Sequence, residues 1–182
     1  MSQVTMDELQ AAIPDILDAP KDNVPVQILC LRPDYGERQI VDQIELTKEF
    51  GIPSERWSTA AWMKLPDGKP DPRIQVSILN KRVMDLVWLD RENTPHPGDP
   101  IVADIDTSEA NMPIGTILQI GTAVIRVTDA FNDACVKWKV RYGKDAKDWI
   151  VRPENIKHKL RGLLCEVVID GLVSKGDMIR KA

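Results

Sequence analysis

Three side chains in this sequence could act as nucleophiles or soft metal ligands: Cys30, Cys135 and Cys165. They stand far apart and form no CxxC pair or Cys/His group. Neither a structural zinc site nor a disulfide framework is expected. Their settings differ. Cys165 lies in LLCEVVI, where Leu163, Cys165, Val167 and Ile169 share one face of a strand and Glu166 the other; it reads as a small core hydrophobe. Cys30 lies in VQILCLR, apolar on both sides, and reads as a buried strand residue. Cys135 lies in FNDACVKWKVRYGKD and is followed by Lys137, Lys139 and Arg141. From Lys137 to Arg161 nine Lys and Arg face three acids, a local excess of six positive charges in a chain of net charge −4. Cations beside a thiol favour the thiolate, the form that attacks electrophiles and binds metals.

The conformation around Cys135 admits two readings. Val136, Trp138, Val140 and Tyr142 alternate with the cations, which is the pattern of a half-wet strand and the cleaner of the two. Cys135, Trp138 and Tyr142 also fit helical spacing, with Asp133 as a cap and Gly143 as the stop. A helix would place Cys135 in its first turn, at the positive end of the dipole.

The elements that must position this segment are mostly short strands. Residues 5–19 predict a helix: Thr5 and Glu8 form a capping box, and Met6, Leu9, Ile13, Ile16 and Leu17 follow helical spacing, with Pro14 dividing it. VPVQILCLRP and RQIVDQIEL read as two strands of a hairpin around PDYGE. A long Pro- and Gly-rich stretch follows, with Trp57 and Trp62, either a functional loop or a cover on the core. RIQVSIL alternates as a strand. Asn80 caps a helix over KRVMDLVWLDR, with Val83, Leu86, Val87 and Met84 as inward candidates. After ENTPHPGDP, a short turn from Ser108 leads to strands TILQI and AVIRVT, split by Gly121. RGLLCEVVIDGLVSKGDMIRK reads as a closing pair of strands with a DG turn at 170–171. The expected fold is mainly β, a closed or partly open barrel with a few peripheral helices. Residues 1–23 form an N-terminal helical extension and 24–182 the barrel domain.

Composition excludes several classes. Hydrophobic content of 43% and charged content of 29% are those of a globular domain with a real core. The acidic balance gives no reason to expect nucleic acid as a partner. No apolar run nears the roughly 18 residues of a membrane span, and the polar N-terminus lacks a secretory pattern, so no membrane partner and a cytoplasmic location are expected. No P-loop or dinucleotide glycine pattern is present. The two histidines, His96 and His158, stand beside no nucleophile in sequence.

NMPIGTILQIGTAVIRVTDAFNDACVKW, followed by RGLLCEVVIDGLVSKGDMIRK, resembles the signature of MOSC domains, a family named after the C-terminal domain of molybdenum-cofactor sulfurases. Upstream, GERQIVDQIELTKEFGIPSERW and QVSILNKRVMDL resemble segments of stand-alone bacterial members, so the likeness spans about residues 24–182. The resemblance implies a β fold related to the barrel inserted in pyruvate kinase. It makes Cys135 the family's signature cysteine, proposed to carry sulfur as a persulfide or to ligate the molybdenum of a pterin cofactor. It further implies a sulfur donor or acceptor protein as partner and a small anionic ligand, with Arg56, Lys137 and Arg161 as candidate donors to a pterin phosphate. Asn111 either holds a turn or contacts ligand, the turn role being favoured. Pyridoxal phosphate, associated with full-length sulfurases, needs a Schiff-base lysine in a dedicated fold and is not expected. The chain departs from the pattern next to the cysteine: Ala134 stands where Pro or Gly is usual, and Phe131, Asn132 and Asp133 where stand-alone relatives often carry His. Those departures support a second reading, a non-catalytic binding module; a third is detoxification of N-hydroxylated compounds, as in some relatives.

Overall fold

The computed structural model describes residues 3–53 and 55–182. Helices α1 (Met6–Ala11) and α2 (Ile13–Leu17) come first. Thr5 and Glu8 do form the capping box, and Pro14 breaks the segment at Ala12 by standing at the start of the second helix. The strands follow: β1 (Val24–Pro25), β2 (Ile28–Leu31), β3 (Gln39–Val41) and β4 (Gln43–Leu46). After them come α3 (Trp57–Ala60), β5 (Val76–Asn80), α4 (Lys81–Val87) and β6 (Ile101–Ala103). Then come β7 (Ile117–Ile120), β8 (Ala123–Val127), α5 (Val136–Tyr142) and α6 (Lys144–Val151). The last strands are β9 (Leu163–Ile169), β10 (Gly171–Ser174) and β11 (Met178–Lys181).

Nine strands form one sheet in the order β1-β11-β7-β8-β9-β5-β6-β2-β3. It is curled into a half-barrel, because one stretch of chain serves both ends. Val24 pairs with Ile179 on β11, and Leu29 pairs with Ile101 on β6. Between them Val26 donates to the Asp177 carbonyl at 2.8 Å and Gln27 to the Val102 carbonyl at 2.9 Å, so successive amides bind opposite ends of the sheet. The expected single strand over 24–33 is thus two short strands joined at a switch. Leu29, Ile78, Ile101, Leu118, Ile125 and Cys165 fill the interior. A second apolar cluster lies outside the sheet, where Leu9 and Ile16 meet Val83, Met84, Trp138, Tyr142 and Trp149. Among the described residues no helix is long and apolar enough to cross a membrane.

Two pairing expectations are corrected. RQIVDQIEL is not one strand: β3 pairs with β2, whereas β4 leaves the large sheet after Asp42 and pairs with β10. The C-terminal stretch is not a strand pair with a DG turn. It holds three strands, of which β9 pairs with β5 and β8, β10 with β4, and β11 with β7 and β1. Glycine permits that exit. A Cβ on Gly171 would stand 2.4 Å from the Ala123 amide nitrogen, and one on Gly121 would stand 2.3 Å from the Leu172 carbonyl oxygen. The two segments therefore cross backbone on backbone, which a side chain would prevent. A register shift between Val124 and Ile125 lets Ile169 turn outward, where it is exposed rather than in the core face expected of it. In the Trp-containing stretch, Trp57 donates to the Asp71 carbonyl at 2.9 Å and lies over Gly51, so it covers the core; Trp62 is exposed.

Candidate functional site

The segment after Cys135 is a helix, not the strand its alternation favours. Trp138 and Tyr142, one turn apart, are buried, with ring centroids 4.7 Å apart and edge-on. Trp138 Nε1 donates to the Ala146 carbonyl at 3.3 Å, and the Tyr142 hydroxyl donates to the Pro95 carbonyl at 2.8 Å. Burial of these two rings outweighs the local alternation, because apolar contact with α1, α4 and α6 is available only to the helical spacing. Gly143, at φ 101°, ends the helix, as the helical reading of it supposes.

Cys135 is the residue before the first turn of α5 and its thiol is exposed. Ala134 ahead of it is left-handed, at φ 59°, and buried. That conformation is disfavoured for alanine. It is held from the side: the Lys147 ammonium donates to the Asp133 carbonyl at 2.9 Å and to the Ala134 carbonyl. Asn132 Nδ2 donates to the Arg161 carbonyl at 3.2 Å, tying the same loop to β9's lead-in. Cys30 and Cys165 are fully buried, and burial pushes their thiols up to about 11 and about 12.

The other candidate residues divide into two groups. Arg56 and Lys137 come together: the Arg56 guanidinium lies 3.5 Å and the Lys137 ammonium 4.6 Å from the centroid of the Tyr35 ring. Arg56 Nε is buried without a hydrogen-bond partner among the described residues. Lys137 is on the first turn of α5, two residues after Cys135, so Tyr35 and Arg56 meet the start of that helix through it.

Arg161 and Asn111 are otherwise engaged. Arg161 Nη1 is 2.7 Å from both carboxylate oxygens of Asp99, and its guanidinium lies 4.3 Å from the Trp138 ring centroid. Ser77 Oγ donates to the same carboxylate at 2.8 Å. Burial works to raise the Asp99 pKa, but Arg161 and these hydrogen bonds hold it below the ordinary carboxylate value. Arg161 therefore orients the Trp138 face of α5. Asn111 Nδ2 donates to the Asp106 carbonyl at 2.8 Å and the Lys21 carbonyl at 2.9 Å, and its Oδ1 accepts from Lys181 at 2.8 Å. It holds a turn, and its hydrogen bonds reach none of the residues around Cys135.

Four side chains at this end of the molecule carry no mark in the local sequence. Asp99 and Ser77 appear there only as loop and strand residues. Tyr35 and Arg38 fall in a stretch that reads as a turn. His96 is buried against the edge of Trp88, with its Nδ1 accepting from the Gly98 amide at 3.0 Å and its Nε2 without a hydrogen-bond partner among the described residues. Burial lowers its pKa to about 4, so it is neutral near pH 7. Two cavities lie in this region, one beside the residues before Cys135 and one at the C-terminal end of α5. One of about 190 Å³ is lined by Phe131, Asn132, Lys159 and Gly162, the other, of about 230 Å³, by Trp88, Pro95, Val140 and Arg141. Cys135 lines neither.

A family model described as the MOSC domain matches residues 98–180 of this chain. That stretch, a little under half of the chain, is similar to the MOSC domain. The matched stretch begins beside Asp99 and contains Asn111, Cys135, Lys137 and Arg161; Arg56, Tyr35 and Ser77 come from the chain before it. No curated protein matches the sequence. Solved structures do. The YuaD protein from Bacillus subtilis superposes with a TM-score of 0.65 at 14% identity, over 86% of this chain and 94% of that one. YiiM from Escherichia coli gives 0.57 at 18% identity, over 88% and 69% of the two chains. YiiM from Geobacillus stearothermophilus gives 0.59 at 14% identity, over 87% and 75%. At such identities the likeness is one of fold. It covers most of this chain, including strands that the family model leaves out.

Proposed function

We propose that this protein works through Cys135, which carries sulfur as a persulfide or ligates the molybdenum of a pterin cofactor. The observation that carries the reading is the exposure of that thiol, within the stretch the MOSC model matches, two residues before Lys137, which meets Arg56 on the Tyr35 ring. In the first role the Cys135 thiolate attacks the outer sulfur of a donor's persulfide. A new S–S bond forms on Cys135, the donor's S–S bond breaks, and the donor leaves as a thiolate. The donor is a protein or small persulfide, and the acceptor a metal centre or its assembly protein.

The residues also suit the cofactor associated with the family. A thiolate is the soft donor that molybdenum takes, and Arg56 and Lys137 can face a phosphate, the former with a buried N–H lacking a partner. When bound, the cofactor would supply two-electron redox chemistry at its metal. Cys135 would anchor it, and the paired cations would orient its anionic end. Reduction of N-hydroxylated compounds would need that cofactor. The alternative of a binding module without chemistry calls for a shielded thiol, and the exposure of Cys135 favours the first reading over it.

The test is sulfur loading followed by peptide mass spectrometry, with metal analysis after exposure to the cofactor. Loading confined to the Cys135 peptide, and lost in Cys135→Ser, is expected for the carrier role; thiol-dependent molybdenum retention is expected for the cofactor role. If Cys135→Ser alters neither, the reading fails.

A further inference from the structure

Helix α5 is apolar on two opposite sides. Trp138 and Tyr142 face inward and are buried. Val136 and Val140, also one turn apart, point the other way. At 72% and 74% exposure they are the two most exposed large apolar side chains among the described residues. Nothing in the fold calls for valine there. At a position facing water, lysine or glutamate would favour the helix more. A helix that is apolar on both sides is one that is covered on both sides, and the chain itself covers only one.

The apolar surface continues beyond the helix. Val140 lines the cavity of about 230 Å³ together with Trp88, Leu89 and Pro95, and Leu89 is itself exposed. The cavity has room for one large apolar side chain. Along the helix axis Val140 lies only about 8 Å from Cys135, at 1.5 Å per residue, so a body seated on this face stands next to the exposed thiol. The charges around the face have one sign. Helix α5 carries Lys137, Lys139 and Arg141 and no acid, and Arg141 also lines the cavity. Asp90, the one acid in the cavity wall, is turned to Asn93, whose amide and side chain each donate to it at 3.0 Å.

We infer that this outer face of α5 is the docking surface for a partner protein that presents an apolar side chain ringed by carboxylates. Val136 and Val140 meet the apolar centre, the cavity takes its projecting side chain, and Lys137, Lys139 and Arg141 meet the ring. A second copy of this chain does not suit the face, because a twofold contact through α5 would set the three cations of each copy against those of the other. The inference names the kind of partner with which Cys135 exchanges sulfur, and for the partner's role it rests on that reading; the docking itself does not require the thiol.

Two fluorophore-labelled peptides of equal length serve as probes, one with a Leu-Phe centre between glutamates, the other with the same centre between lysines. Binding to the full chain is read by fluorescence anisotropy at about 0.15 M salt, where diffuse charge attraction is largely screened. The acidic peptide is expected to bind at least tenfold more tightly than the basic one. Val136→Ser combined with Val140→Ser is expected to weaken it at least tenfold and to leave the thermal midpoint unchanged, since both side chains are exposed. Leu172→Ser, at an exposed apolar position on β10, should bind as the parent does. Cys135→Ser should also bind the acidic peptide normally, so failure of the sulfur chemistry and failure of the docking surface give different results. Equal binding of the two peptides, no binding of the acidic one, or undiminished binding in the double valine variant would overturn the assignment. So would self-association of the chain, or attachment to phosphatidylglycerol vesicles, that is lost in that variant.

Discussion

Arg161 and Asp99 form an ion pair in which one guanidinium nitrogen lies 2.7 Å from both carboxylate oxygens, with both side chains nearly out of water. The pair stands 62 residues apart in sequence, and Trp138 of the cysteine helix rests on its cationic member. It thereby couples the barrel, through Ser77 on β5, to the element that begins at Cys135.

Removing one partner of a buried pair strands the other charge. Asp99→Asn is expected to lower stability by about 3 kcal/mol, read as a fall in the urea midpoint. Asp99→Asn with Arg161→Met should recover part of it, because no buried charge then remains. A single variant as stable as the parent would show that the pair is open to water.

His96 makes stability depend on pH. Its pKa is depressed from 6.5 to about 4 by burial, so the unfolded chain takes up a proton between those values while the folded chain does not. Stability is therefore fully present above about 6.5 and falls as pH drops toward 4, by about 3 kcal/mol in all. Asp99, also depressed, adds its loss only at still lower pH. Urea melts at pH 7.5 and 4.5 should differ markedly more in the parent than in His96→Gln; equal differences would refute the assignment to His96.

Thiol accessibility should be sharply unequal. Cys135 is exposed, whereas Cys30 and Cys165 are buried with raised pKa values. One thiol is expected to react with a thiol reagent in the native protein and two more only on unfolding. Native Cys135→Ser should react with none on the same timescale, and rapid labelling of Cys30 or Cys165 would contradict the buried placement.

The crossing of Gly121 and Gly171 should tolerate no side chain. Gly121→Ala and Gly171→Ala each force a methyl onto backbone atoms, and Gly121 is also left-handed at φ 58°. Each is expected to destabilise by more than about 2 kcal/mol, seen in thermal melting. Gly176→Ala, at φ 92° but with open space around it, meets no backbone and should cost less.

What the sequence by itself determined was local. The Thr5–Glu8 capping box, the Asn80 cap, the burial of Cys30 and Cys165, and the β character of the chain follow from neighbours a few residues apart, where hydrogen-bond reach and side-chain periodicity act. The MOSC likeness was legible too, because the order of its strand and turn motifs is written along the chain. The tertiary structure decided what distant segments supply to one another. It made residues 136–142 a helix, since Trp138 and Tyr142 find their apolar partners only when they lie on one face. It sent β9, β10 and β11 to different partners, since sheet pairing is chosen across the whole barrel. It also took Arg161 from the candidate anion donors by pairing it with Asp99. Whether a cation is free to bind a ligand depends on the carboxylate that reaches it in space, and Asp99 reaches Arg161 from 62 residues away.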